Sequence, residues 1–323
     1  MLKQGQMNKI PIILTFDKNM SLAAAVCISS MMESARADTF YDFFVLYSNV
    51  EPDIVGLDKI LDYYPNMRLT YRDVGNIFDN AYQVRGITTA AYYRLLTANV
   101  VPEYDKVIYA DVDMIFRLDL SDLYNYDLSD NYFGAVYAIN MNIDSIGIEH
   151  VKSIGLKEGD YYLSGFLLMN LKKIREGEII SNFIKLASNN YKYQDQDIMN
   201  IVCKGKILSI PYVYSMTVAA FEAVSYKTKL LETKYLYNPY DRDPLIYSNI
   251  HYNGVKPWQD WCPNMDQWWE CYRKSPIYDP AFYFSFFYNK LEYLDQLSLM
   301  KRIKVLLRYF VFGRKVIRKD ETQ

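Results

Sequence analysis

The sequence has few cysteines and no long apolar run. Its cysteines form no C-x-x-C pair and fit no zinc-cluster spacing; they are Cys27, Cys203, Cys262 and Cys271. A chain of 323 residues buries a large core without disulfide bonds, so we expect reduced thiols. No apolar run reaches the roughly 18 residues that a membrane-spanning helix needs, and the opening MLKQGQMNKIP lacks the apolar segment of a secretory signal. We therefore expect a cytoplasmic protein.

Neither sign of charge dominates the chain. The net charge is −2, which predicts no binding to nucleic acid. Eight basic residues and no acidic ones nevertheless lie in KRIKVLLRYFVFGRKVIRK, residues 301–319, so the rest of the chain is acidic. This basic segment also carries bulky apolar residues, a combination that predicts docking on an anionic membrane surface, at the inner face of the cell membrane. The alternative is a terminal helix that packs on the acidic body of the protein itself.

Strand-like and helix-like segments alternate through the first third of the chain. Short apolar runs predict strands at 10–16, 43–47, 67–71 and 107–110, and longer patterns predict helices at 21–35, 52–64 and 88–99. Further along, strands are predicted at 133–137 and 166–169 and helices at 171–188 and 195–203. This alternation is typical of an α/β protein with a mostly parallel, Rossmann-like sheet flanked by helices.

Polar residues follow two of the predicted strands. Asp17 and Asn19 come after the first strand, and Asp111 and Asp113 come after the fourth, in KVIYADVDMIF. Parallel strands of this kind of fold bind ligands beyond their carboxyl ends, so both sets are expected at one crevice. Two carboxylates spaced D-x-D can reach one hard divalent cation such as Mg²⁺ or Mn²⁺. The alternative is an acidic turn that caps the next element.

Histidine is scarce, with only two copies. His251 lies in IHYNGVKPW, close to Gly254 and Lys256, where an imidazole can serve as a third metal ligand and a lysine can meet a phosphate. A structural role is the alternative for His251. His150, in IEHVKSIG, has no such neighbours and is interpreted as structural.

A third polar set lies in YQDQDIMN, residues 193–200. Asp195 and Asp197 flank Gln196 at the start of a helical pattern. Acidic residues in a first helical turn complement the helix dipole, which alone would explain Asp195. The functional alternative is a set of polar groups that bind sugar hydroxyls.

Six segments in this order resemble retaining glycosyltransferase family 8: ILTFDKN, ITTAAYYRLL, KVIYADVDMIF, SGFLLMNLKK, YQDQDIMN and HYNGVKPW. The resemblance covers residues 8–262. It implies a GT-A fold that uses Mn²⁺ or Mg²⁺ and a UDP-sugar donor. Residues 1–260 would form this nucleotide-sugar-binding catalytic domain, and residues 261–323 a small aromatic and basic C-terminal helical extension.

The resemblance also implies roles for individual residues. Asp111, Asp113 and His251 would bind the metal. Arg94, Asp195 and Gln196 would act at the donor sugar as catalytic residues. The nucleotide part of the donor would be bound by Thr15, Asp17, Asn19, Ile87, Val112, Gly254 and Lys256.

The chain departs from the family pattern at two positions. Leu163 replaces a frequent Asn that contacts the donor sugar, and Ala138 aligns with an acceptor-binding Asp, so the acceptor is expected to differ. We expect transfer of galactose or glucose from UDP-galactose or UDP-glucose to a glycan or lipid-linked saccharide acceptor of the cell surface. Because the Gln196 amide is a poor nucleophile, attack from the same face is favoured over a covalent intermediate. The alternatives are a protein that glycosylates one of its own 32 tyrosines and a noncatalytic sugar-nucleotide-binding module.

Overall fold

A computed structural model describes the backbone of residues 7–84 and 88–312, and the side chains of these residues except 293, 294 and 308–312. Within the chain, two compact units divide between residues 277 and 278: Met1–Ile277 and Tyr278–Gln323. The first unit contains every segment of the family resemblance. The predicted domain boundary at residue 260 stays a prediction.

The first unit is built on one large sheet. Its seven strands lie in the order β3-β2-β1-β4-β7-β6-β8, and a separate two-stranded sheet pairs β5 with β9. The strands are β1 (Asn8–Thr15), β2 (Thr39–Tyr47), β3 (Met67–Asp73), β4 (Lys106–Ala110), β5 (Met114–Ile115), β6 (Phe133–Tyr137), β7 (Tyr162–Asn170), β8 (Ile207–Ser209) and β9 (Ile250–His251). Strand β7 is antiparallel to both β4 and β6, while the other pairs of the large sheet are parallel. The predicted α/β fold with a mostly parallel sheet is confirmed.

Helices cover the sheet. Its central strands are therefore buried, which is why their sequences are continuously apolar. Strands β1 and β4 are buried almost throughout, as expected for strands packed on both faces. The helices of the first unit are α1 (Ser21–Ser34), α2 (Leu57–Tyr63), α3 (Ala90–Tyr93), α4 (Thr97–Val100), α5 (Ser121–Tyr124), α6 (Ile139–Ile143), α7 (Ser145–Ser153), α8 (Leu171–Glu176), α9 (Ile180–Leu186), α10 (Gln194–Val202), α11 (Val218–Ser225), α12 (Pro244–Tyr247) and α13 (Met265–Lys274). The predicted helix at 88–99 consists of α3 and α4 joined by a 3₁₀ turn, Arg94–Leu96.

Strand register places the polar segments at one edge of the sheet. Leu14 of β1 pairs with Ala110 of β4, so the chain leaves both strands side by side. Because β7 runs in the opposite direction, its beginning lies at this same edge, and the backbone N–H of Asp111 donates to the Gly165 carbonyl at 2.7 Å. The carboxyl ends of β1 and β4 and the start of β7 thus form one rim.

The small β5–β9 sheet carries His251 to this rim. Met114 pairs with His251, and the Tyr252 N–H donates to the carbonyl of Asp113 at 2.9 Å. Residues more than 130 positions apart are therefore fixed together by backbone hydrogen bonds. Helix α10 is fastened to β7 in a similar way, since the Asn200 side chain bonds both the N–H and the carbonyl of Tyr162 at 2.9 Å.

The second unit contains two helices, α14 (Pro280–Asp295) and α15 (Leu299–Phe312). Large apolar side chains on α15 are exposed, including Ile303, Val305, Leu306 and Leu307. Lys301, Arg302 and Lys304 lie on the same helix. Among the described residues, no helix combines the length and apolar character needed to cross a membrane.

Candidate active site

A cavity of about 410 Å³ opens at this rim, where residues that follow β4 and residues at the start of β7 line it. Its lining includes six ionisable residues, Arg94, Asp111, Asp113, Asp195, His251 and Lys256. It also includes apolar residues, Ala138, Ile139, Met141, Leu163 and Ala219. A concave site that combines apolar residues with a few convergent polar groups is characteristic of a ligand-binding cavity.

Three predicted metal ligands come together in the cavity lining. Oxygen atoms of Asp111 and Asp113 and a ring nitrogen of His251 all lie within 4.8 Å of one another. His251 Nε2 is 3.3 Å from Asp113 Oδ1 and 3.8 Å from Asp111 Oδ2. Two carboxylates with one imidazole form a donor set suited to Mn²⁺ or Mg²⁺.

The surroundings of these ligands fit a bound cation. Asp113 Oδ1 is buried and has no hydrogen-bond partner among the residues that the structure describes. Such an oxygen is costly unless a cation or donor satisfies it. His251 Nδ1 lies 3.2 Å from Ser215 Oγ, which can accept a hydrogen bond from Nδ1–H and so leave the Nε2 lone pair for a cation when one is bound. The arrangement therefore suits a divalent cation, and the metal-binding role of the three residues stays a prediction.

Lys256 lies beside the same carboxylate. Its Nζ is 2.5 Å from Asp113 Oδ2 and donates to the Tyr252 carbonyl at 2.6 Å. Burial alone would raise the pKa of Asp113, but His251 and Lys256 outweigh it and hold the pKa below its usual range. Asp113 is thus kept as an anion. Gly254, two residues before the lysine, is exposed and has open space around its α-carbon.

Arg94 joins the two acidic segments of the site. This buried guanidinium contacts Asp111 Oδ1 at 2.9 Å and approaches Asp195 Oδ2 at 3.3 Å. It also donates to the carbonyls of Ala91 and Ser164, at 2.8 and 2.6 Å. Because these bonds fix its plane, Arg94 holds the two carboxylates at a set separation.

Asp195 and Gln196 lie in the first turn of helix α10 and line the cavity. Burial raises the pKa of Asp195, an effect that Arg94 partly offsets. Its Oδ2 atom has no hydrogen-bond partner within the described part of the chain. Gln196 accepts a hydrogen bond from the Ser164 N–H at 3.2 Å. Both side chains are positioned to contact a ligand in the cavity.

Asp197, the other acid of YQDQDIMN, is fully buried and turned away from the cavity lining. His150 Nε2 lies 2.9 and 3.1 Å from its two carboxylate oxygens. The structural interpretation of His150 thus has a physical basis in this hydrogen-bond geometry.

Among the predicted nucleotide-binding residues that the structure describes, Thr15, Asp17, Asn19 and Val112 do not line the cavity. Thr15 is buried, and its Oγ1 is 2.9 Å from the Tyr109 hydroxyl. Asp17 accepts from the Asn19 N–H at 2.8 Å and so begins a 3₁₀ turn. Val112 is buried between the two metal-site acids, and Ile87 lies outside the described residues. The roles of these residues stay predictions.

Two residues of the site, Tyr109 and Gly165, were not predicted from the sequence. Tyr109 donates to Asp111 Oδ1 at 2.5 Å and stacks under the Arg94 guanidinium, 4.2 Å from its ring centre. Gly165 lies directly against Asp111 and His251. A lone glycine at the start of an apolar strand signals a close approach, so SGFLLMN contained a usable signal for Gly165. Tyr109 looks like any core residue of a buried strand, and its sequence context contains no such signal.

Comparisons with known proteins identify the family of the chain. The family model described as glycosyl transferase family 8 matches residues 11–262. A candidate glycosyltransferase of Haemophilus influenzae is 30% identical over 194 residues, which cover 56% of this chain and 52% of the relative. The lipopolysaccharide 1,2-glucosyltransferase of Escherichia coli K12 is 28% identical over 179 residues, which cover 53% of this chain and 50% of the relative. The chain thus matches about half the length of these two relatives.

A solved structure is similar over a larger share. The galactosyltransferase LgtC, in complex with donor and acceptor sugar analogues, superposes with a TM-score of 0.64 at 26% identity. The superposition covers 81% of this chain and 95% of that one. The GT-A architecture and the resemblance found in the sequence are therefore confirmed, and the chain belongs to glycosyl transferase family 8.

Proposed function

We propose that the chain is a metal-dependent hexosyltransferase that moves galactose or glucose from a UDP-sugar to an acceptor hydroxyl with retention of configuration. The observation that carries this proposal is the shared cavity. Its lining contains a cluster suited to a divalent cation, Asp111, Asp113 and His251, next to Arg94, Asp195 and Gln196. Membership of the family supports the reaction type.

The diphosphate part of the donor is assigned to the metal cluster and Lys256. A divalent cation bound by the three ligands would supply Lewis-acid stabilisation of the negative charge on the leaving UDP. Lys256 provides a second positive charge at the same end of the cavity. Its Nζ already lies against Asp113, so a small rotation of the lysine side chain can exchange that contact for a phosphate oxygen.

The sugar of the donor is assigned to Arg94, Asp195 and Gln196. During transfer, the bond between the anomeric carbon and the UDP oxygen breaks, and the acceptor oxygen bonds the same carbon from the same face. The acceptor's proton passes to the leaving phosphate, so no protein base is required. The Asp195 carboxylate stabilises the positive charge that develops on the sugar, and Arg94 keeps that carboxylate in place.

The acceptor is assigned to a glycan or lipid-linked saccharide. One relative is named as a lipopolysaccharide glucosyltransferase, and the structural neighbour is a galactosyltransferase, which supports glucose or galactose as the sugar. Ala138 and Leu163 both line the cavity, so the two departures from the family pattern lie where a saccharide would bind. This supports an acceptor that differs from that of relatives with polar residues at these positions.

The exposed apolar and basic residues of α15 support peripheral attachment to an anionic membrane. Such attachment would bring the catalytic unit to lipid-linked acceptors at the inner face of the cell membrane. An amphipathic basic helix lies in the headgroup plane, where each lysine or arginine contributes about 1 kcal/mol.

A donor panel tests the proposal. UDP-galactose, UDP-glucose and UDP-N-acetylglucosamine are each incubated with the full chain and Mn²⁺, and UDP release is measured with and without EDTA. We expect release from at least one hexose donor and its loss on chelation. No release from any donor, or release that EDTA leaves unchanged, would contradict the proposal. Mass measurement of the protein afterwards detects sugar transferred to its own tyrosines.

A further inference from the structure

A buried tyrosine contacts the predicted catalytic amide. Tyr161 lies immediately before β7 and is completely buried. Its hydroxyl group is hydrogen-bonded to Asp197 Oδ1 and lies 3.3 Å from Nε2 of Gln196. Tyr161 does not line the cavity, so it can act on a ligand only through Gln196, which does.

The direction of the Tyr161 hydrogen bond is fixed by Asp197. This carboxylate is fully buried, and it already accepts the Tyr193 N–H at 2.9 Å and contacts His150. An ionised carboxylate only accepts hydrogen bonds, so the Tyr161 hydroxyl proton must point at Asp197. Burial, with the Asp197 charge beside it, raises the pKa of Tyr161 and keeps that proton in place.

Because the Tyr161 hydroxyl donates its proton to the hydrogen bond with Asp197, the Tyr161 oxygen can only accept a hydrogen bond from Gln196. The amide must therefore turn its NH₂ group toward Tyr161. The other end of the amide meets a donor, since the Ser164 N–H lies 3.2 Å from Oε1. A flipped amide would place Oε1 against the tyrosine lone pairs and NH₂ against the Ser164 N–H. Two independent partners thus select the same amide orientation.

We propose that Tyr161 is a positioning residue for sugar transfer, which holds the Gln196 amide so that one face of it is presented to the donor sugar. Asp197 and His150 form the support behind it. The assignment rests on the proposed function, because it concerns the same cavity. A group held in one orientation before the reaction does not have to be ordered during it, which lowers the barrier.

The test measures donor turnover in a double-mutant cycle. Tyr161→Phe and Gln196→Ala are made singly and together, with Tyr162→Phe as the matched control. Tyr162 is the next residue and is also buried, but its hydroxyl faces Asp160 at 3.3 Å. We expect Tyr161→Phe to lower kcat about tenfold with KM for the donor little changed, and Tyr162→Phe to keep the wild-type rate. In the Gln196→Ala background, Tyr161→Phe should cause no further loss.

A second measurement does not depend on turnover or on a Tyr161 variant. In isotope-labelled wild-type protein, the Gln196 side-chain NH₂ resonance is identified by its loss in Gln196→Ala. We expect a nuclear Overhauser effect between these NH₂ protons and the Tyr161 ring protons next to the hydroxyl group. Absence of this effect would overturn the assignment, even if Tyr161→Phe fails to fold.

The outcomes separate the assignment from the proposed function. A wild-type rate in Tyr161→Phe, or a full further loss in the Gln196→Ala background, would overturn the assignment and leave the proposed function intact. A wild-type chain that releases no UDP from any donor would overturn the proposed function and, with it, the role of Tyr161 in transfer.

Discussion

Gly165 lies so close to His251 that no side chain fits between them. A β-carbon at Gly165 would overlap with Cε1 of the imidazole, and it would lie 2.6 Å from Asp111 Oδ2. The glycine is held there by β-sheet hydrogen bonding, since its carbonyl accepts the Asp111 N–H at 2.7 Å. The side chains of Asp111 and His251 can therefore take these positions only because residue 165 has no side chain.

We predict that Gly165→Ala weakens Mn²⁺ binding about 10- to 100-fold, because the new methyl group pushes two ligands out of position. The affinity is measured by titration of Mn²⁺ with detection of the free ion by electron paramagnetic resonance. Gly254→Ala is the control, because a β-carbon there meets nothing within 4 Å. Equal Mn²⁺ affinity of Gly165→Ala and wild type would show that the cation binds elsewhere.

Substitution of the two histidines should affect different properties, Mn²⁺ binding for His251 and stability for His150. His251→Ala removes a ligand and is predicted to weaken Mn²⁺ binding at least about tenfold. His150→Ala leaves the buried Asp197 carboxylate short of a partner and is predicted to lower the free energy of unfolding by about 1–3 kcal/mol, with Mn²⁺ affinity unchanged. Chemical denaturation and Mn²⁺ titration of both variants provide the two readouts. Loss of Mn²⁺ affinity in folded His150→Ala would contradict the assignment.

The Asp42 carboxyl should make the free energy of unfolding depend on pH in the acidic range. Burial alone would raise the pKa of this carboxyl, but hydrogen bonds from Arg68, Tyr104 and Lys9 hold it below its usual range. A lowered folded-state pKa stabilises the protein above the unfolded pKa of about 3.9, and this contribution is lost as pH falls through the folded pKa. Asp42→Asn should cost about 1–3 kcal/mol at pH 7, with a difference from wild type that shrinks below about pH 4.

The measurement is urea unfolding of wild type and Asp42→Asn between pH 7 and pH 3. Asp62→Asn serves as an exposed control and should stay within about 0.5 kcal/mol of wild type throughout. A difference for Asp42→Asn that does not change with pH would show that its charge is not responsible.

The basic and apolar residues of the C-terminal segment predict binding to anionic membranes. The full chain should sediment with anionic vesicles in low salt, and a chain that ends at Met300 should not, because it lacks the basic segment. The double variant Lys301→Glu, Lys304→Glu keeps the helix length and should bind more weakly. Equal sedimentation of the full and shortened chains would show that the segment packs on protein instead.

The sequence predicts the main sheet well because its central strands are strongly patterned. The apolar runs of β1 and β4, followed by acids, fix both the strands and the edge at which a site must lie. The reversed direction of β7 could not be predicted, since an apolar run reads the same in a parallel or an antiparallel strand.

The site is predicted only where its residues are chemically distinctive. Asp111, Asp113 and His251 could be grouped from their types and the family resemblance, whereas the two-residue pairing of β5 with β9 is too short to leave a pattern. Tyr161 shows the limit most clearly. Among 32 tyrosines, its position beside Gln196 depends on how α10 packs on β7, which tertiary structure alone determines.

We propose that Asp111, Asp113 and His251 bind a cation that couples to the UDP part of the donor. Calorimetric titration of UDP into wild type and Asp111→Asn, each with and without Mn²⁺, tests this coupling. Asp62→Asn is the matched carboxylate control, and circular dichroism confirms that each variant is folded.

We expect Mn²⁺ to tighten UDP binding at least about tenfold in wild type and in Asp62→Asn, and this gain to disappear in Asp111→Asn, because a metal-bridged diphosphate needs the full set of ligands. A folded Asp111→Asn protein that still binds UDP with the same Mn²⁺ enhancement would show that Asp111 does not bind the cation.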